Sequence, residues 1–197
     1  KQGSENERFS ELFISYFGQA LGFSMAHYEL ESSYIKTLDF TNQQVDYEAI
    51  YSLAGDDEDY QKSFEILENL CPAAVKDYVN MIFLDTICFN MDRHTKNYGV
   101  LRDINTGDVR GLAPNFDNNI ALISRGYPNN IERNKDRMIE LFVKFVSENH
   151  RARFIYEKID TSIITEKTIK ACIEKTKFIV DAERICAFIL NGVKQTV

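Results

Sequence analysis

The sequence predicts an α+β domain that is mostly helical, and three patterns carry that expectation. Apolar residues recur at helical steps of three and four near the start, in the middle and through the last third of the chain. Two short runs rich in aromatic and branched residues, over 23–31 and 33–40, have the character of strands closing a sheet edge. Between the helical stretches, from Cys88 onward, lies a polar interval that reads as a loop and then a hairpin.

The elements follow in order. Phe9, Leu12, Phe13, Tyr16, Phe17 and Leu21 form one helical stripe, and Ser4 with Glu7 makes a capping box at its start. That box competes with a reading of Glu7 as a helix acid paired to an upstream lysine. Beyond the two strands, helices are expected over 43–53 and 60–70. A stronger one begins at Pro72, where Val75, Tyr78, Val79, Ile82 and Phe83 keep the helical step. The hairpin runs over 98–102 and 109–113, and its turn, Asn105 to Asp108, uses residues that tolerate positive φ. After a loop with Arg125, Gly126 and Pro128, periodicity returns at Met138, Leu141, Phe142 and Phe145 and continues in two or three more helices.

Composition narrows the class. At 197 residues, 44% of them hydrophobic, the chain suits one domain or part of a larger one. It can bury roughly 70% of its unfolded surface. It has no apolar run of the roughly 18 residues a membrane span needs, and the polar start KQGSENERFS is no signal peptide. The chain therefore reads as soluble and cytoplasmic, with Cys71, Cys88, Cys172 and Cys186 as reduced thiols. The formal charge is −7, and the stretch from Asp39 to Glu68 holds nine acids against one base, Lys62. Such a face disfavours direct nucleic-acid contact, which needs clustered Lys and Arg, and otherwise reads as a solvated surface. His27 and His150 stand alone and do not suggest a metal site.

The residues that could carry chemistry lie in the polar interval. Asp92 and Asn97 stand as D-x-x-x-x-N, followed by the hairpin and then by Asp117. The spacing itself is weak. Among 14 Asp and 15 Asn, chance supplies about one such pair, and Asp85 with Asn90 is another. Context separates them: Asp85 falls within an apolar helix, whereas Asp92 follows that helix and precedes a hairpin that returns Asp117 beside it. Phosphoryl transfer needs magnesium, which favours hard oxygen ligands of the kind Asn97 and Asp117 offer. The competing reading is that Asp92 and Asp117 cap turns or pair with Arg93 and Arg110. His94 reads equally as a group orienting Asp92 or as loop scaffold, and Lys96 as a phosphate neutraliser or a solvated side chain.

These segments carry a resemblance. FNMDRHTKNYGVL followed by LAPNFD resembles the catalytic and metal-binding segments of HipA-like serine/threonine kinases, with their N-x-D-x-H-x-K-N-x-G loop and a metal Asp after a Pro-x-aromatic step. Asn90, Asp92, His94, Lys96, Asn97, Gly99, Pro114, Phe116 and Asp117 all match, and NERFSELFISYFGQALGFSMAHYEL extends the likeness more faintly. The resemblance implies a protein-kinase-like C-terminal helical lobe over 41–197 with a catalytic-loop hairpin. Residues 1–40 would be a small N-lobe remnant of one helix and two strands. It implies Asp92 as catalytic base, aided by His94 and Lys96, and Asn97 and Asp117 as magnesium ligands. Lys36, Thr37, Leu38 and Asp39 would be an adenine-facing hinge for ATP. The substrate would be a protein Ser or Thr hydroxyl, with an antitoxin-like DNA-binding protein as partner.

The departures are as informative as the matches. Asn90 and Met91 replace the His-Arg that precedes the catalytic Asp of most protein kinases, Asn118 stands where Phe is usual, and no A-P-E follows. No Gly-rich phosphate loop and no strand Lys precede the first helix, so both would lie upstream of Lys1. Two other classes stay open: a binding module that keeps kinase-like residues without turnover, and a magnesium-dependent phosphohydrolase.

Overall fold

Helix α1, Glu5–Ala20, starts where Ser4 and Glu7 complete the capping box: Ser4 Oγ accepts from the Glu7 N–H, and Glu7 Oε2 accepts from the Ser4 N–H at 2.6 Å. Its expected stripe is the buried face, with Phe9, Leu12, Phe13 and Phe17 fully enclosed. The computed structural model describes residues 3–41 and 43–196. Strands β1, Tyr28–Glu31, and β2, Tyr34–Thr37, then form an antiparallel hairpin in register Tyr28 to Thr37, shorter than the runs that predicted them.

The next segment departs from expectation. Instead of a helix over 43–53 there is a strand, β3, Val45–Ala49, and only a four-residue helix, α2, Tyr51–Ala54. The reason is tertiary: β4, Gly99–Asp103, offers an edge, and Val45 through Ala49 pair with it residue for residue, Glu48 meeting Arg102 in an ion pair. With β5, Val109–Leu112, they make a three-stranded antiparallel sheet ordered β3-β4-β5. Gly99 is required there. A Cβ would collide with the Glu48 carbonyl oxygen across the ladder.

The helices are as read from periodicity: α3, Tyr60–Leu70, capped by Asp59; α4, Ala74–Cys88; α5, Arg137–Glu148, capped by Asp136; α6, His150–Tyr156; α7, Glu166–Thr176; and α8, Ala182–Thr196. Helix α4 is the axis. Tyr78, Val79, Ile82, Phe83, Leu84 and Ile87 are buried on every side because α3, α5, α6, α8 and β5 all pack on it. Each such side chain contributes about 1.5–3 kcal/mol of hydrophobic stabilisation. Helix α1 packs on α7, and Phe9 meets Phe178 edge-on, so the first helix and α4 share one core. The four cysteines are free thiols, and burial pushes the Cys88 thiol well up.

Candidate active site

The site begins where α4 stops. Phe89 ends the helix in the left-handed conformation (φ 55°), turning the chain into the loop that carries Asp92 and Asn97 before β4 begins. The loop closes on itself. The Asp92 carbonyl accepts the His94 N–H at 3.0 Å and Asn97 Nδ2 at 2.5 Å, and the Asn97 N–H donates to the His94 carbonyl at 3.0 Å. Asn97 is almost fully buried, yet its Oδ1 has no partner among the described residues. That orphaned oxygen is the donor a hard cation would take, since Nδ2 is already committed.

Asp117 comes to this loop from the other side of the hairpin. It sits in the left-handed region at φ 60°, a conformation Asp tolerates at modest strain. Two neighbours hold it there. The Asp117 N–H donates to the Tyr28 hydroxyl at 3.3 Å, and the Asn118 N–H donates to Glu11 Oε1 at 2.9 Å. Burial, and then the Glu11 carboxylate, push the Tyr28 hydroxyl well above its ordinary range, so it stays protonated.

Between the two loops lies Arg93, buried and bound on every side. It grips Asp85 bidentately (Nε to Oδ2 2.7 Å, Nη2 to Oδ1 3.0 Å) and donates to the carbonyls of Asn97 at 3.0 Å and Phe116 at 2.8 Å. Its Nη2 also reaches Asn115 Oδ1 and Asn118 Oδ1, both at 2.7 Å. Burial works against the guanidinium charge, but Asp85, with Glu11 and Asp117 beyond it, outweighs that and raises its pKa. Arg93 thus joins the backbone of Asn97, whose side chain bonds the Asp92 carbonyl, to residues 115, 116 and 118, which flank Asp117.

The other expected residues lie further out. His94 Nδ1 accepts the Lys96 N–H at 3.2 Å, a scaffold contact. Lys96 projects over the Tyr51 ring at 4.5 Å, toward Asp56 at 3.9 Å, and is largely exposed. Along the expected hinge segment, Lys36 pairs across the hairpin with Glu31, the Thr37 hydroxyl donates to the His27 carbonyl, Leu38 is exposed, and Asp39 accepts from Thr41. Phe40 then lies tilted against Phe116 at 5.6 Å, and Tyr47 meets Phe116 edge-on at 5.4 Å, so an aromatic wall runs from Phe40 to the residue before Asp117. Behind Asn90, Met91 and Arg93 opens a cleft of about 620 Å³, with Phe89, Met138, Leu141 and Phe188 among its walls.

Sequence reading missed four of these residues. Asp85, set aside there as one end of a chance pair, is the anchor of Arg93, and Asn90 of the same pair donates to Asp85 Oδ1 at 2.8 Å. The available signal was a carboxylate within the apolar pattern of α4, which calls for a buried cation nearby. Glu11, one helical turn beyond Glu7 and next to the apolar stripe, gave a fainter version of it. Arg93 had been weighed only as a partner for Asp92 or Asp117, and for Tyr28 no signal existed.

This mostly helical α+β body has the fold of a kinase-like C-terminal lobe, as the comparisons show. The family profile for the HipA-like C-terminal domain matches residues 2–182, and the chain belongs to that family. A solved structure of the Helicobacter pylori proinflammatory kinase CtkA superposes with a TM-score of 0.78 at 19% identity, over 99% of this chain and 86% of that one. HipA from a Shewanella oneidensis MR-1 toxin-antitoxin complex with HipB and operator DNA superposes at 0.54 with 13% identity, over 96% of this chain and 55% of that one. No curated protein sequence matches. At these identities the structural likeness establishes the fold.

Proposed function

We propose that this chain is the catalytic-loop lobe of a HipA-like serine/threonine protein kinase that uses ATP and Mg²⁺. The observation that carries the reading is Asn97: its Nδ2 is anchored on the Asp92 carbonyl while its buried Oδ1 is left without a partner, facing a role that hard-cation chemistry fills. Asn97 Oδ1 and the Asp117 carboxylate would hold magnesium, which neutralises charge on the phosphates when bound. No cluster of three His, Cys, Asp or Glu suited to a metal occurs among the described residues. In this reading the ion takes its remaining ligands from phosphate and water.

Asp92 is the base in this reading. The acceptor hydroxyl oxygen attacks the γ-phosphorus, its proton passes to the Asp92 carboxylate, and ADP leaves; such a base contributes roughly 10²–10⁴-fold. In this reading His94 holds the loop in shape, and Lys96 would neutralise phosphate charge. The hinge of Lys36, Thr37, Leu38 and Asp39 and the wall of Phe40, Tyr47 and Phe116 would receive adenine, and the 620 Å³ cleft would receive the acceptor protein. The phosphate-covering loop and its lysine would be supplied by residues before Lys1. The HipA structure named above holds HipB and operator DNA. We take an antitoxin-like DNA-binding protein as the partner here, with no direct nucleic-acid contact by this acidic lobe. No helix among the described residues is long and apolar enough to cross a membrane.

The test is radiolabelled ATP with the full-length protein and its neighbouring gene products. Phosphoserine or phosphothreonine on a protein, abolished by Asp92→Asn, is the expected result. Inorganic phosphate without phosphoprotein would reassign the site to hydrolysis, and ATP binding with neither product would leave a binding module.

A further inference from the structure

We propose that Arg93 is a positioning residue: one buried guanidinium sets the spacing between the loop carrying Asp92 and Asn97 and the loop carrying Asp117, and thereby tunes the metal site. The metal part of this inference rests on the function proposed above. The geometric part does not.

The argument is one of donors and targets. A guanidinium has five N–H groups in a fixed plane, and Arg93 spends them on six acceptors, so it has none left for a substrate. Two contacts fasten it to Asp85 at the end of α4. The other four fall on the two loops: the carbonyl of Asn97 on one side, and on the other the carbonyl of Phe116, just before Asp117, with the side chains of Asn115 and Asn118, which bracket it. Because the Asn97 backbone is held by Arg93 and its Nδ2 by Asp92, Oδ1 keeps one direction. Arg93 also takes the oxygens of Asn115 and Asn118, whose buried Nδ2 groups are left without partners among the described residues. Those orphaned donors show the 115–118 loop arranged around this cation at the expense of other hydrogen bonding. A lysine has three donors on a flexible stem and cannot hold both loops.

Arg133 provides a matched control. It is also buried, pairs with Asp136 at 2.5 Å and donates to the Thr86 and Ile87 carbonyls, but makes no hydrogen bond to Asn97 or to residues 115–118. In the full-length protein, Arg93→Lys and Arg133→Lys are compared by thermal melting, by hydrogen exchange, and by calorimetry of ATP binding across a Mg²⁺ series. Both should melt earlier. Arg93→Lys alone should accelerate exchange at 92–97 and 115–118 together and raise the Mg²⁺ midpoint by about 10- to 100-fold, the usual effect of losing an outer-shell partner. Unchanged exchange in either loop of Arg93→Lys, or an equal midpoint shift in Arg133→Lys, overturns the inference. If the parent protein shows no Mg²⁺-dependent ATP binding, the kinase reading fails, and the exchange data still decide whether Arg93 holds the loops.

Discussion

Asp92 and Asp117 are both carboxylates, and the roles proposed for them differ as their surroundings do. Asp92 lies in a loop closed by its own backbone, whereas Asp117 is fixed through the N–H groups of its own residue and the next, on Tyr28 and Glu11. A base acts on the reaction, and a metal ligand acts on binding as well. Asp92→Asn in the full-length protein should therefore bind ATP·Mg²⁺ nearly normally and transfer poorly, by about 10²-fold or more. Asp117→Ala should lose magnesium-dependent binding. Titration calorimetry of both variants separates them, and equal loss of nucleotide affinity contradicts the assignment. Removing Asp85 is a different matter: Asp85→Ala strands a buried guanidinium, and a cost of about 3–5 kcal/mol is expected in denaturant unfolding.

Among the elements, the three-stranded sheet is the one whose formation depends most on a single position. Gly99→Ala would drive a Cβ into the Glu48 carbonyl oxygen, which is backbone and cannot swing aside. The substitution should separate β3 from β4 and cost upward of about 1–3 kcal/mol, with faster hydrogen exchange over 45–49 as the local readout. The β4–β5 turn makes a pH prediction. The Arg110 side chain, and then the Asn105 and Thr106 N–H groups, pull the Asp103 carboxyl down to about 2. An unfolded Asp titrates near 3.9, so the unfolded chain binds more protons between about 2 and 4. The contribution is complete above that window and lost as pH falls through it. Amide shifts of Asn105 and Thr106 should titrate near 2, and Arg110→Ala should move that midpoint upward.

At the scale of the whole molecule, the helices from α3 to α8 close a continuous core on α4, and α1 joins it through Phe9, Phe13 and Phe17. The 197-residue chain should therefore fold alone, with a single cooperative melt, while showing little or no kinase activity, because the phosphate loop and its lysine are proposed to come from elsewhere. Robust phosphorylation by this purified chain, abolished by Asp92→Asn, would show that no such further parts are needed.

The features legible in the sequence are those made by residues close along the chain. The capping box at Ser4 and Glu7, the stripe of α1, the helical run of α4 and the loop from Asn90 to Gly99 all depend on residues within a few positions of one another, and each was readable as written. The strand β3 was not. Its Val45, Tyr47 and Ala49 alternate as a strand's residues do, but only the edge of β4, more than fifty residues later, decided that they would pair rather than coil. The same holds at the site. Asn118 meets Glu11 across 107 positions and Asp117 meets Tyr28 across 89, and Arg93 joins Asp85 to residues on both loops. Buried polar groups must find partners wherever the packed core brings them, and that choice is made in three dimensions.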